Sequence, residues 1–548
     1  MTAADWIAVP VLLPLGTAGL MLLLGENRRA TNAAIGVAST AVGLLVALHL
    51  ALSVHRQDGA LAFAVYLPGN WPVPFGIVLV VDRLSALMCV LASCAAMASL
   101  LFALARWHRA GVYFHVLLQL QLMGLSGAFL TADLFNLFVF FEVLLAASYA
   151  LLLHGGGIER VRAGLHYVAI NLMASLLFLI GVALLYGVAG TLNMADLAHK
   201  LALVPDRDRG LLHAGAAILG VAFLAKAALW PLAFWLPPAY AAASAPAAAL
   251  FAILSKVGVY AVLRLWTLCF PAGAGATPPF GSALLVWGGL ATLAFGAIGM
   301  LASQRLGRLA GYSLIASSGT LIAAVGLQEP ALAAGALFYL GSSTLAAAAL
   351  FLLVELLERA RQAEVAPPLL DRGDRQLSFL VDGEPRQDVN LDDDEEALIG
   401  RAVPGALAFL GLAFLACTLV VAGLPPLSGF VGKLAMLEAV LDIGAGRGAA
   451  RWALFAALIV SGLAAAVALV RVGINHLWAP QDRPAPRLRV IEGLPIALLL
   501  GGCVLLAWRG EPVLQYVRAA ADTLHEPQRY IGAVLAARTV PAPDGRRP

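Results

Sequence analysis

Apolar stretches of about 18 residues or more recur along almost the whole chain, separated by short polar turns. They fall near residues 7–24, 33–54, 83–105, 112–130, 131–153, 164–189, 211–236, 243–265, 284–302, 307–326, 331–357, 404–441, 451–475 and 488–508. The pattern predicts an all-α polytopic membrane protein of about 14 transmembrane helices; a β-barrel would instead show short alternating segments. The fourth and fifth spans meet almost without a loop at Thr131-Ala132-Asp133. Proline interrupts the seventh span at Trp230-Pro231 and Pro237-Pro238, and the twelfth at Pro425-Pro426. Such breaks free backbone carbonyls inside the membrane. The first span has no basic stretch before it, so it reads as a retained helix rather than a cleaved signal.

The two broken spans suggest an internal repeat. Pro231 and Pro426 lie 195 residues apart, and each break sits in the fourth of five consecutive spans. Five is odd, so the second set enters the membrane inverted, a recurring transporter plan with discontinuous helices at the ion site. The expected organisation is a three-helix region over 1–110, a first five-helix repeat over 111–266, a second over 284–476, and a last helix with a tail over 488–548. An acidic loop over 359–400, including Asp392-Asp393-Asp394-Glu395-Glu396, interrupts the second repeat and reads as a solvated connector. Beyond Arg509, apolar residues from Val513 to Leu524 recur at helical spacing, predicting an amphipathic helix on the membrane surface or against a partner. The final PAPDGRRP has no such pattern. Basic residues in short loops favour the odd-numbered connections by twelve to seven. The positive-inside rule then puts those loops in the cytoplasm and both termini outside, in the periplasm.

Composition sharpens the class. The chain is 61% hydrophobic and only 12% charged, which excludes an ordinary soluble enzyme. Its net charge of +3 and the lack of a basic stripe give no support for nucleic acid. The five cysteines are scattered without metal spacing, and no metal or cofactor is expected.

Four charges lie where hydrocarbon disfavours them: Glu142, Lys226, Lys256 and Lys433. Such residues face the protein interior or water and mark ion or proton pathways. Blander readings stay open: a neutral Glu142 could hydrogen-bond a neighbouring helix, and Lys226 could snorkel. A lysine poised between burial and a carboxylate can load and release a proton, so making or breaking a Glu142–Lys226 pair would move one. GLPPLSGFVGK around Lys433 mimics a phosphate loop, but no strand precedes it and Leu434 replaces the required Ser or Thr. Secondary candidates are Glu355 at the end of span eleven, Glu438 as a partner for Lys433, Ser343 and Thr344 as bridges, and His166. Asp82 and Asp133 read as helix N-terminal carboxylates, and Arg264 as a snorkelling interfacial arginine.

At these residues a resemblance emerges. FNLFVFFEVLLAASYALLLHG, LAKAALWPLAFWLPPAYAAASAPAAALFAILSKVGVYAVLRLW and AGLPPLSGFVGKLAMLEA resemble the antiporter-like subunits shared by respiratory complex I and Mrp-type multisubunit Na⁺/H⁺ antiporters, the D-type subunits of Mrp above all. The resemblance implies Glu142, Lys226, Lys256 and Lys433 as proton-transfer residues of helices five, seven, eight and twelve. It implies 14 helices with two inverted five-helix repeats, other antiporter subunits as partners, H⁺ and Na⁺ as transported ions, and a bacterial inner membrane. Such a chain is a transporter subunit rather than an enzyme. A proton-pumping subunit of complex I or a membrane-bound hydrogenase, and a structural scaffold, are the alternatives. One departure concerns helix eleven: where the family often carries a histidine, this chain reads FYLGSSTLAAAALF, with Gly341 near that place. Ser342, Ser343, Thr344 and water are the expected replacements.

Overall fold

The computed structural model describes residues 6–57, 62–271, 280–365, 405–442, 448–478 and 488–540. The acidic run of the 359–400 loop and the terminal PAPDGRRP lie outside them. The helices are α1 (Val9–Leu24), α2 (Arg29–His55), α3 (Arg83–Ala103), α4 (Phe114–Leu130), α5 (Leu134–Leu153), α6 (Ile158–Ala189), α7 (Met194–Leu201), α8 (Asp206–Lys226), α9 (Leu236–Ala242) and α10 (Ala245–Cys269). They continue as α11 (Ser282–Ala302), α12 (Leu306–Leu327), α13 (Pro330–Val365), α14 (Gly405–Ala422), α15 (Ser428–Asp442), α16 (Gly448–Gly473), α17 (Val490–Trp508), α18 (Gly510–His525) and α19 (Pro527–Leu535). Among the described residues, twelve helical stretches are long and apolar enough to cross a membrane. The apolar α1 and α4 are shorter, at 16 and 17 residues. The expected count of about 14 therefore depends on these two short helices.

Burial ranks the helices. The apolar windows of α10 and α13 are wholly buried, whereas α6, α14 and α17 bury less than half of theirs and turn leucine and valine outward. Lys256 and Ser343 thus sit on wholly buried helices, whereas Glu142 and Lys226 lie on helices whose apolar windows are half buried.

One small element breaks the all-α expectation. Ala64–Tyr66 (β1) pairs antiparallel with Leu79–Val81 (β2), Ala64 opposite Val81. The ribbon leads straight into Asp82, which caps α3 through a reciprocal box with Ser85. Asp133 caps α5 without the reciprocal bond, accepting from Asn136 N at 2.8 Å. Both carboxylates are thus structural helix starts.

Arg264 does not snorkel. It is buried and grips Asp82 with two parallel bonds of 2.6 and 2.8 Å. A fork-shaped guanidinium matches a carboxylate, and the pair pins α10 to α3. Burial alone would push the Asp82 carboxyl up; the guanidinium outweighs it and holds it below the usual carboxylate range. The sequence offers no visible partner because Asp82 lies 182 residues away.

The apolar face of the tail packs on its own chain. Val517, Ala520, Ala521 and Leu524 of α18 are buried, and α18 lies against α13 and α3. Tyr516 Oη donates to Arg83 O at 2.7 Å, and the Tyr530 ring of α19 sits 5.2 Å from the Arg264 guanidinium. The apolar face is legible in the periodicity; the surface it packs on is not.

Two proline breaks share one backbone device. α8 stops at Lys226, ten residues short of the expected span end, and Leu229 N bonds Leu224 O at 2.9 Å across a left-handed Ala228 (φ 56°). α14 stops at Ala422, and Leu424 N bonds Leu419 O at 2.8 Å across a left-handed Gly423 (φ 76°). These are the helix-ending bonds of a Schellman turn, at the same 195-residue offset as the two prolines.

Candidate buried proton-transfer site

Lys226 ends α8 just before its break, with 8% of its surface exposed. Its Nζ donates to Ser175 Oγ of α6 at 3.3 Å and stands 5.2 Å from the Phe141 ring. A cavity of about 20 Å³, room for one water, adjoins it between Phe141, Tyr167, Asn171, Trp235 and Val257. Glu142 lies within electrostatic reach of Lys226 but forms no ion pair with it, and Glu142 Oε1 is buried without a hydrogen-bond partner among the described residues. Of the two states the sequence reading allows for a Glu142–Lys226 pair, made or broken, the structure has the broken one: the serine hydroxyl and the aromatic face meet the ammonium.

Lys256 sits mid-helix in α10 and is fully buried. Its Nζ donates to Ser317 Oγ at 2.9 Å and Ser318 Oγ at 3.2 Å, both on α12. Ser317 is in turn 3.0 Å from Ser343 Oγ on α13. The preceding residue, Ser342, faces the other way and meets Ser428 Oγ, the first residue of α15, at 2.7 Å. Two hydroxyl contacts thus leave α13 from adjacent residues, one toward Lys256 and one toward the second break. This happens beside Gly341, where an added Cβ would find nothing nearer than Leu91 at 4.0 Å.

Lys433 lies on α15, after its break, and is 8% exposed. Its Nζ donates to Ala422 O at 2.8 Å and Val421 O at 3.4 Å. These carbonyls are free because α14 ends there, so the break supplies the acceptors. A Cβ on Gly423 would lie 2.4 Å from Lys433 Cδ, and the residue has a positive φ besides; only glycine fits.

No hydrogen bond or ion pair joins any two of the four residues directly; serines and backbone carbonyls stand between. The secondary candidates divide. Ser343 is in the chain from Lys256. Thr344 donates to Leu340 O of its own helix at 2.7 Å and bridges nothing. Glu438 is exposed, because five residues place it about 140° round the helix from Lys433. His166 is also exposed and contacts Arg162 O of its own helix at 3.1 Å. Glu355 lies at the far end of α13, accepting from Trp107 Nε1 at 2.6 Å with Arg106 4.0 Å away. Ser175, Ser317 and Ser318 do not stand out in the sequence. The available signal is a hydroxyl pair inside an apolar span, SLIASSGTL, but small serines there pack as readily as they relay.

Similarity to known proteins shows the family of the chain. Residues 131–366 match the model of a family described as NADH:quinone oxidoreductase/Mrp antiporter, TM. The chain is 52% identical, over 97% of its length and 98% of the relative's, to the D component of a probable K(+)/H(+) antiporter of Rhizobium meliloti. It is 33% identical, over 96% of its length and 99% of the relative's, to the D component of the Na(+)/H(+) antiporter of Alkalihalophilus pseudofirmus. Its fold is similar to a chain of the Mrp complex from Dietzia sp., with a TM-score of 0.81 and 25% identity over 98% of this chain and 100% of that one.

Proposed function

The chain belongs to the NADH:quinone oxidoreductase/Mrp antiporter family, among the D-type subunits of Mrp, and from that premise we propose that it moves protons through Glu142 and the buried Lys226, Lys256 and Lys433 in exchange for a monovalent cation. The observation that carries this reading is the hydroxyl-linked Lys256. A fully buried ammonium needs acceptors, and the ones it has continue through Ser317 and Ser343 toward the second half. Hydroxyls both donate and accept, so a proton passed to one is released from the other side of the same oxygen. Lys226 is the switching end, since Glu142 stands within electrostatic reach and uncommitted. Closing that pair would hold charge on Lys226; opening it would let the proton leave.

The five-helix repeats over 111–266 and 284–476 fit the shared turn at the two breaks, and we take both termini to be periplasmic in a bacterial inner membrane. The partners are the other subunits of the antiporter. Potassium is the first cation to test, because the 52% relative carries K(+) in its name, and sodium the second.

Everted vesicles containing the complete complex test the reading. Glu142→Ala and Lys226→Ala are expected to abolish cation-driven proton movement while the complex still assembles. Full exchange in both variants would remove these residues from the pathway. Co-purification with flavin or iron–sulfur subunits would move the chain to a redox-driven pump.

A further inference from the structure

One group of buried polar side chains outside the lysine-bearing region lies on the seam where α4 packs against α1 and α2. Gln119 of α4 is fully buried; its Nε2 donates to Gly36 O at 3.1 Å and Thr40 Oγ1 at 2.9 Å on α2. Deeper on the same face, Thr17 of α1 donates to Ser39 Oγ at 2.8 Å. One turn before Gln119 is His115, 6% exposed, whose Nδ1 lies 3.6 Å from where a Cβ on Gly36 would be. Neither ring nitrogen of His115 has a hydrogen-bond partner among the described residues, and the same holds for Asn32 Oδ1 and Gln119 Oε1.

An imidazole always presents at least one N–H, and when neutral one lone pair as well. Leaving a buried polar group unmet is expensive, so four such atoms on one seam call for water. The seam is polar enough to give a water several partners. Its mouth holds two more imidazoles. The His108 ring is 6.0 Å from that of His115, and Phe114 touches both His115 and His154, with ring separations of 5.7 and 5.1 Å. His154 meets Trp107 O at 3.0 Å, on the opposite edge of the residue whose indole binds Glu355. The groups acting electrostatically on His115 are His108 and His154; Glu26, Arg29, Arg109 and Arg160 lie further out around this end.

We propose that His115 is a proton-binding site in a hydrated seam of the N-terminal helices, separate from the buried lysines and open to solution between His108 and His154. The chemistry is reversible transfer of H⁺ from hydronium or water to a ring nitrogen and back; no other bond forms or breaks. The fixed charges near the seam, Glu26, Arg29, Arg109 and Arg160, lie at its outer end, and its occupancy follows the pH of the face it opens to.

The test needs no transport assay, so it stands or falls apart from the proposed function. The intact complex in its native membrane is treated with diethylpyrocarbonate at a series of pH values, and modification of each histidine is read by peptide mass spectrometry. His115 is expected to react, with a rate that rises along one titration curve. His108 serves as the internal positive control. In a second arm, Thr40→Cys is expected to react with a water-soluble methanethiosulfonate, whereas Ala47→Cys, on a buried apolar stretch of α2, is inert. If His108 is modified but His115 stays unmodified until the protein is denatured, or its rate does not titrate, the site is refuted. An unreactive Thr40→Cys in an assembled complex refutes the hydrated seam.

Discussion

The two broken helices use the same backbone turn but hold their lysines in opposite ways. At the first break the lysine precedes the turn and reaches a side-chain hydroxyl, Ser175. At the second it follows the turn and returns to the carbonyls that the turn released, Ala422 and Val421. A backbone acceptor cannot rotate away, whereas a serine hydroxyl can exchange its partner. The difference teaches that the two breaks share the device and not its occupant: at one the ammonium is held by backbone carbonyls, and at the other by a hydroxyl that can turn away.

The largest expected effect is on transport. Lys226→Met and Lys433→Met should each reduce cation-driven proton exchange in everted vesicles to background. A variant that retains exchange removes its lysine from the pathway and breaks the comparison outright. The two should part on stability. Lys433→Met leaves buried carbonyls without a donor, a loss of about 1–3 kcal/mol. Lys226→Met leaves a serine that can turn to its own helix, so the thermal midpoint of the detergent-solubilised complex should fall for the first and hold for the second. Equal midpoints would mean the carbonyls do not anchor Lys433.

Gly423→Ala comes next. It places a side chain against Lys433 Cδ and in the left-handed region, which costs about 1–2 kcal/mol before any clash. The ratio of assembled to unassembled chain should drop roughly tenfold on that scale, as read by native gel. Smaller again is the hydroxyl link. Ser317→Ala and Ser428→Ala should slow exchange several-fold and the double variant should be no worse than additive if the two contacts act separately; rates in reconstituted vesicles decide. The smallest effect belongs to Ala228→Gly, at the position matching Gly423. It relieves a left-handed alanine but frees the unfolded chain, so stability should change by less than about 1 kcal/mol in thermal melts.

A third charged site marks the other extreme from the open Glu142–Lys226 arrangement. Asp82 and Arg264 form a closed, doubly bonded pair with a capping role, built to stay shut. The same residue types thus sit in opposite arrangements: Asp82 and Arg264 share two short bonds and complete a helix start, whereas Lys226 meets a serine hydroxyl and a phenyl ring and leaves Glu142 Oε1 without a partner among the described residues.

Hydropathy determined the class, the run of helices and both breaks, because hydrocarbon admits only helices with internally satisfied backbones and tolerates proline only where carbonyls find new partners. It also singled out the four charges, since burial of each demands a reason. What hydropathy could not supply was who meets whom. Arg264 and Glu438 show it from two sides: one reads as interfacial yet has its partner 182 residues away, and the other is close in sequence to Lys433 yet turned from it by helical geometry. The amphipathic tail has a readable face and an unreadable counterface. Ser342 and Ser343 are legible as candidates but their partners are not, and Ser317 carries no signal of its own in a span rich in small residues; only the packing of α10, α12, α13 and α15 makes Ser317, Ser342, Ser343 and Ser428 neighbours. Periodicity along one helix is a local property fixed by sequence, while contact between helices depends on how all of them pack at once, and that was decided by the tertiary structure.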